Sequence, residues 1–443
     1  MFRVTLLAAA LTAAFPAFAQ SDLDALRAEL KDLKAAYEAR IAALETRIQQ
    51  AEVEPAAPPA EQAAAAGRFN PDISLILQGR YAHLDDLDER RIEGFLPAGD
   101  GHGDGAARGF SVDGTELILS ASIDPFFRGQ AILALLDGEV AIEEAWVQTT
   151  SLGHGLSVKG GRFRSGLGYQ NEKHPHAWDF ADSSLMYRAL FGEAYGHDGV
   201  QLKWVAPTER YLALGAEAGR GAGFPGSDRN TNGAGAYTLF GHVGGDVGNS
   251  HSWRAGLSYL HARARAREGE LEDLNDVEAE TLFSGRSKTW LADFVWKWAP
   301  DGNARERNVS FAAEYFRRAE RGSLKCEDNT AGGGTCNDTQ DAYRANQSGY
   351  YAQAVYQFMP RWRTGYRYDR LNPGTVDFGL NPLNFPAIDH KPVRHSLMLD
   401  YSPSEFSRLR VQYSKDRSMA SQNENQWFVQ YIHSLGSHGA HKF

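Results

Sequence analysis

The chain has 443 residues with 56 acidic against 46 basic side chains, a formal charge of −10. No long block of one sign occurs, which excludes the basic stripe of a nucleic-acid-binding protein. Mean hydropathy is negative and no run of 18 apolar residues occurs, so no transmembrane helix is expected. The 45 glycines and the 23 Phe, 18 Tyr and 9 Trp are instead the composition of a large β protein.

Residues 1–19 read as a secretory signal peptide. Arg3 precedes an apolar run from Val4 to Phe15, and Ala17-Phe18-Ala19 is a small-x-small cleavage site. The run is too short to span a bilayer, so an exported chain starting near Gln20 is expected. Residues 20–53 are predicted to form an α-helical periplasmic coiled-coil segment. Leu23, Leu26, Leu30, Leu33 and Tyr37 follow 3-4-3-4 spacing, continued by Ile41, Leu44 and Ile48 after a 4-4 stutter. Ser21 and Asp22 can cap its start. So narrow a stripe needs a partner, either another copy or the next domain. Residues 54–68 are a Pro/Ala linker without core-forming capacity.

From Asn70 the period changes to two. Ile73, Leu77 and Tyr81 alternate with Ser74, Gln78 and Arg80; Trp290, Ala292 and Phe294 alternate with Thr289 and Asp293; Leu409, Val411 and Tyr413 alternate with Arg408, Arg410 and Gln412. Aromatic residues on one face and charges on the other fit lipid outside and water inside. Sixteen strands are expected near 71–83, 109–123, 126–136, 140–150, 156–166, 198–206, 210–219, 235–246, 251–262, 287–299, 307–318, 347–359, 361–371, 393–402, 407–416 and 425–435. Short turns such as DPF (124–126), APTE (206–209), APDG (299–302) and SPSE (402–405) alternate with longer links at 84–108, 167–197, 220–234, 263–286, 319–346 and 372–392. Only the link at 137–139 breaks that rhythm. The predicted fold of residues 69–443 is therefore an all-β, transmembrane antiparallel β-barrel of about 16 strands, surrounded by outer-membrane lipid. The terminal Phe443 is a weak further sign.

Cys326 and Cys336 enclose the polar segment EDNTAGGGT. In an exported protein a disulfide is the expected state, contributing on the order of 2–3 kcal/mol by the chain-entropy model. Two thiolates ten apart without a second pair make a poor zinc signature.

Signal peptide, short coiled coil and sixteen-stranded barrel in that order resemble the trimeric bacterial porins of the phosphate-selective O/P type. FNPDISLILQGRYA (69–82), SASIDPFFRGQA (120–131), EEAWV (143–147), GRFRSGLGYQNEKHPHAWDF (161–180) and HDGVQLKW (197–204) are similar to a group of outer-membrane proteins labelled zinc-regulated TonB-dependent receptors. The porin resemblance implies a homotrimer passing small hydrophilic or anionic solutes by passive diffusion. The receptor resemblance implies metal uptake, with zinc as the possible bound species. A structural tether acting through the coiled segment is a further alternative.

Strand phase places Arg80, Arg128, Lys159, Lys203, Arg254, Lys297, Arg318, Arg363, Arg367, Arg394, Arg408 and Arg410 on the lumen side, with Glu116, Glu144, Glu217, Asp293, Glu314, Asp369 and Asp400. This basic bias could give a mild anion preference. Arg363, Arg367, Arg408 and Arg410 could form an anion ladder, or could pair with Asp369, Asp400 and loop acids. The phase of Arg162 and Arg164 is left open because Gly160-Gly161 can bulge.

In sixteen-stranded porins the third outer loop folds inward, so the resemblance makes 167–197 a pore constriction bearing His174, His176, Asp179, Asp182, His197 and Asp198. Pro175 favours extended geometry at His174, which should turn both imidazoles the same way. His174 and His176 could hold zinc, titrate near neutrality, or brace a turn packed by Trp178 and Phe180. His102 in GDGHGDG (99–105) could add a ligand. No G-x-S-x-G, H-E-x-x-H or P-loop occurs, and no enzymatic activity is expected.

Overall fold

The computed structural model describes residues 71–87, 90–95, 107–112, 114–136 and 139–436, together with Lys31. The chain divides into two units, Met1–Phe69 and Asn70–Phe443, and every described strand belongs to the second. Lys31 apart, the expected signal peptide, coiled-coil helix and linker lie outside the described residues. So do His102 with its glycine-rich neighbours, the link at 137–138, and Phe443.

Sixteen antiparallel strands close into a barrel. They are β1 (Asp72–His83), β2 (Gly109–Val112, resumed at Thr115–Ser122), β3 (Phe127–Leu136), β4 (Glu139–Thr149), β5 (Leu156–Arg164), β6 (Gly196–Val205), β7 (Tyr211–Gly219) and β8 (Ala236–Val247). They continue as β9 (His251–Glu272), β10 (Glu278–Trp298), β11 (Asn308–Cys326), β12 (Thr339–Met359), β13 (Trp362–Asn372), β14 (Val393–Ser404), β15 (Ser407–Arg417) and β16 (Glu424–Gly436). Each strand pairs with the next, and β1 pairs with β16 from Ser74 opposite Gly436 to His83 opposite Trp427, so among the described residues no sheet edge is left open. Both pieces of β2 pair with β1, and a two-residue ladder at Val376–Asp377 adds only to the upper end of β12.

Alternation decides which way each side chain points. Ile73, Leu77, Trp290, Phe294, Leu409, Val411, Trp427 and Tyr431 are exposed on the outer face, whereas Ser74, Gln78, Thr289, Asp293, Arg410 and Gln412 are buried inside. Aromatic pairs across strands, such as Tyr259–Trp290 at 4.7 Å and Tyr413–Trp427 at 4.8 Å between ring centroids, reinforce the outer belt.

Four strands run longer than expected. β9 and its three successors have 22, 21, 19 and 21 residues, where about 9–11 suffice to cross a membrane. The expected links at 263–286 and 319–346 therefore contract to 273–277 and 327–338. The extra ladder carries charged residues such as Arg263, Arg265, Arg321 and Arg344, because no lipid demands an apolar face there. Around it Phe283, Leu324, Tyr343, Phe378 and Phe385 pack as an outer apolar cluster against the disulfide of Cys326 and Cys336, whose Cα atoms lie 5.6 Å apart.

The third outer link, 165–195, runs inward. It contains one helical turn at Pro175–Ala177 and the short helix α1 (Leu185–Phe191). Ser184 caps α1 by accepting from the Tyr187 N–H, and Gly192 ends it at φ 66°. All of α1 except Arg188 is buried, as befits a helix that is apolar all round. It packs with Leu167, Tyr195, Leu260, Tyr351 and Leu371, and with Ile92 and Phe95 from the first outer link.

Candidate functional site: a loop clamped inside the barrel

Link 165–195 is held by wall groups around most of the circumference. At its start Ser165 Oγ and Gly166 N donate to Glu217 on β7, at 2.5 and 2.9 Å. Asn171 then ties the two ends of the link together, donating to the carbonyls of Ser165 and Tyr195 and accepting from Tyr195 N. Across the lumen, Glu314 on β11 accepts from Tyr169 N, Gln170 N, Tyr187 Oη and Tyr351 Oη, at 2.6–3.0 Å. Gly168 sits at φ 67° against this carboxylate, and a Cβ there would collide with Glu314 and the Tyr187 hydroxyl.

Farther along, Asp179 accepts from Arg363 on β13 and Gln353 on β12 at 3.2 and 3.1 Å. Asp182 meets Arg367 at 2.9 Å, Gln412 at 2.9 Å and Arg394. Burial alone would raise the Asp182 pKa, but Arg394 and Arg367 outweigh it and hold the carboxyl below its ordinary range. Leu185 N, at the head of α1, donates to Asp369 at 3.0 Å, and Arg410 donates to Trp178 O at 2.8 Å.

This geometry resolves the two readings of the basic wall. All seven acids placed inward are buried, and Arg318, Arg367, Arg394 and Arg410 are at most 1% exposed. Arg363 pairs with Asp400 at 2.6 Å, and Arg408 reaches the carbonyls of His176 and Trp178. Arg363, Arg367, Arg408 and Arg410 are thus loop anchors and do not form an unobstructed anion ladder. Arg128 differs, being exposed near the short-turn end and donating to Gln148 at 3.2 Å.

Two constriction residues are placed differently from expectation. β6 begins at Gly196, so His197 and Asp198 belong to the wall. His197 is buried facing Glu217 and Tyr195, while Asp198 points outward and pairs with Arg162 at 2.7 Å. The cause is strand phase: Arg162 and Asp198 are register partners on one outward face.

Below the link lies a cavity of about 1290 Å³. Its walls include Ser120–Ser122, Gly248–Ser250 and Trp298–Ala299, all at short-turn ends, and Glu172–His174, His176 and Asp179 form its inner limit. It is a vestibule reaching in from the short-turn side.

NEKHPHAWDF ends that vestibule. His174 is extended (φ −76°, ψ 159°), as a residue before proline should be, but Pro175–Ala177 then makes a single helical turn, where an extended run was expected. The imidazoles of His174 and His176 nevertheless face the same way, with centroids 6.0 Å apart and planes 24° from parallel. His174 Nδ1 lies 3.3 Å from Glu116 Oε1 and 3.0 Å from Glu143 Oε2, and its Nε2 lies 2.9 Å from Glu144 Oε1. His176 Nδ1 lies 3.3 Å from Glu116 Oε2. Burial and Arg164 oppose a charge on His174, yet hydrogen bonds to the three carboxylates prevail and push its pKa up to about 10.

Glu143 escapes alternation. Ile132 of β3 pairs with Glu144 and Leu133 with Ile142, so Glu143 is the extra residue of a bulge, and both glutamates turn inward. The consecutive acids in EEAWV were the available sign. Arg164, whose phase was open, lies inside and donates to Glu143 at 2.9 Å and to Lys173 O at 2.6 Å.

A closed sixteen-stranded barrel with an apolar outer belt, a polar interior and an infolded third outer link is an outer-membrane protein of porin architecture. It is similar to a loop-deletion form of OmpT, an outer membrane protein of Vibrio cholerae (TM-score 0.51, 12% identity, 83% of this chain and 99% of that one). It is also similar to Pseudomonas putida OprB (TM-score 0.50, 14% identity, 85% and 96%). Within that class the chain belongs to the family of an Aquifex aeolicus (strain VF5) protein described as uncharacterized, being 32% identical over 398 residues, 85% of this chain and 80% of that one. No protein-family model matches.

Proposed function

We propose that the protein is an outer-membrane channel for passive diffusion of small hydrophilic solutes, in which link 165–195, and not the barrel wall, sets the bore. The observation that carries this is the clamping of that link to wall strands from Glu217 on β7, through Glu314 on β11, round to Arg367 on β13 and Arg394 on β14. A mild anion preference is part of the proposal. Of the eight Lys and Arg lining the vestibule, Arg164, Arg254 and Arg363 are paired with Glu143, Asp293 and Asp400, so the preference rests on the others, Arg128 foremost, since fixed positive charge concentrates anions. A homotrimer is the assembly we propose, with the exposed aromatic belt of one barrel meeting lipid and neighbouring copies.

The uptake-receptor alternative fares less well. TonB-dependent transporters of the plugged kind use about 22 strands, whereas this wall has sixteen and the segment inside it is one of its own outer links.

The test is single-channel recording of the refolded mature chain in a planar bilayer, with reversal potentials in a tenfold KCl gradient. Small steps in groups of three, enlarged several-fold by Asp182→Asn, with a reversal potential of anion-selective sign, are expected. Large steps unchanged by that substitution would overturn the role given to the link. A cation-selective sign would overturn the anion preference, and independent single steps would overturn the trimer.

A further inference from the structure

We propose that Glu116, Glu143 and the Nδ1 atom of His174 form a site for a divalent transition-metal ion at the inner end of the vestibule, with Glu144 positioning the imidazole. The site stands independently of whether the barrel conducts.

Three separate stretches converge there: β2 gives Glu116, the bulge of β4 gives Glu143, and the infolded link gives His174. Their donor atoms all lie within 4.8 Å of one another. The two contacts of Nδ1, 3.0 Å to Glu143 and 3.3 Å to Glu116, resemble the edges of a coordination shell. Metal–ligand bonds of about 2.0–2.2 Å at tetrahedral angles place neighbouring donors about 3.3–3.6 Å apart. The Nδ1 contacts already stand at about that spacing, so only the carboxylate–carboxylate edge, within 4.8 Å, has room to close around an ion.

The rest of the cluster is arranged as a metal site requires. A ligating histidine must present one nitrogen bare and commit the other as a donor. An ion would displace the proton on Nδ1, and Glu144 Oε1, 2.9 Å from Nε2, would hold the remaining proton there and keep Nδ1 facing Glu116 and Glu143. Glu116 is fully buried, and His176 Nδ1 stands 3.3 Å from its Oε2. A carboxylate buried this completely is costly unless positive charge serves it. His176, stacked on His174, is placed to supply a fourth donor. Three carboxylates face one guanidinium in direct contact, Arg164 on Glu143, which leaves a charge that a divalent ion suits. The vestibule provides the entry path, since His174, His176 and Glu144 line it. The mixture of imidazole and carboxylate donors selects the zinc, iron(II) and manganese(II) group over calcium, which takes oxygen alone.

The experiment uses the refolded mature chain in detergent at pH 7.5, freed of metal with a chelator. Zn²⁺ is titrated in against a competing chromophoric chelator, and Co²⁺ is added in parallel as a spectroscopic probe. One Zn²⁺ per chain with a dissociation constant at or below the micromolar range is expected, with Co²⁺ absorption bands of a low-coordinate nitrogen–oxygen site. His174→Gln and Glu143→Gln should weaken binding by a hundredfold or more. Glu144→Gln, which retains the ligands but loosens the ring, should cost 10–100-fold. Asp198→Asn, on the outer face, is the control with unchanged affinity. Heat-modifiable gel mobility confirms that each variant is folded, and Glu143→Gln keeps the test alive if His174→Gln is not. Two results would overturn the proposal: no binding at micromolar Zn²⁺, meaning that a proton on His174 alone satisfies the carboxylates, or binding that Glu143→Gln leaves intact.

Discussion

The two halves of the barrel interior are built from the same alternating wall and yet differ. Toward the short turns the inward side chains, Arg128 and Ser120 among them, face a cavity of about 1290 Å³. Toward the long links, Glu314, Asp369, Arg367 and Arg394 are nearly inaccessible, because an outer link has brought a partner to each. An inward charge is thus a solvated wall or a structural anchor depending only on what enters the lumen. A wall charge in the lower half can be removed cheaply, and one in the upper half cannot.

The largest effect is expected at Arg367. Arg367→Ala would leave Asp182 and Asp369 buried with weakened compensation, at a cost of about 3–5 kcal/mol, the range for breaking a buried ion pair. The urea midpoint of the folded barrel should fall and the conductance should rise together. A conductance rise without loss of stability would show that the anchors hold the link only and not the barrel.

Next comes Glu314, which four donors address at once. Glu314→Gln presents an amide to at least one of those donors, so a loss of about 1–3 kcal/mol is expected, the cost of an unsatisfied buried group. Hydrogen exchange at Tyr169 and Gln170 should speed up while that of the β3–β4 ladder does not. Equal acceleration at both places would sink the idea that the link opens as a unit.

Acid should release the same link. Asp182 faces Arg367, Arg394, Gln412, the neighbouring Asp369 and, at longer range, Arg188, and the net result is a lowered pKa. A depressed carboxylate contributes stability that is fully present above its unfolded pKa of about 3.9 and is lost as pH falls through the folded value. Conductance should therefore stay flat from neutrality to about pH 4 and increase only below it. Asp182→Asn should remove that acid step. A step centred near pH 6 would assign the opening to another group.

The contrast also explains what the sequence could show. Wall phase was legible because one lipid-facing row forces strict alternation, so all seven inward acids were placed from residues such as Trp290 and Asp293. The upper reaches of β9 to β12 were not, because beyond the bilayer Arg263 and Arg321 serve as well as an apolar residue and the signal fades into that of a polar loop. The infolding of 165–195 came from family resemblance, since no spacing in GLGYQNEKHPHAWDF dictates direction. Glu143 was hidden by the bulge that re-aims it. Asp198 was misplaced because a strand start two residues earlier puts it in the wall, pointing out.

The smallest effect tests the lower half. Arg128 is exposed, lines the vestibule and donates a side-chain hydrogen bond to Gln148. It also stacks over Trp146 at 5.6 Å, an exposed cation–π contact worth about 0.5–1 kcal/mol. Arg128→Gln should accordingly leave the urea midpoint almost unchanged while shifting the reversal potential toward cations, because one fixed positive charge leaves the path. The shift should shrink at high salt, where the screening length falls to about 3 Å at 1 M. Its size measures how far the vestibule, as distinct from the clamped link above it, shares in selectivity. If the reversal potential does not move at low salt, selectivity is decided entirely at the link, and the hollow half is only an antechamber.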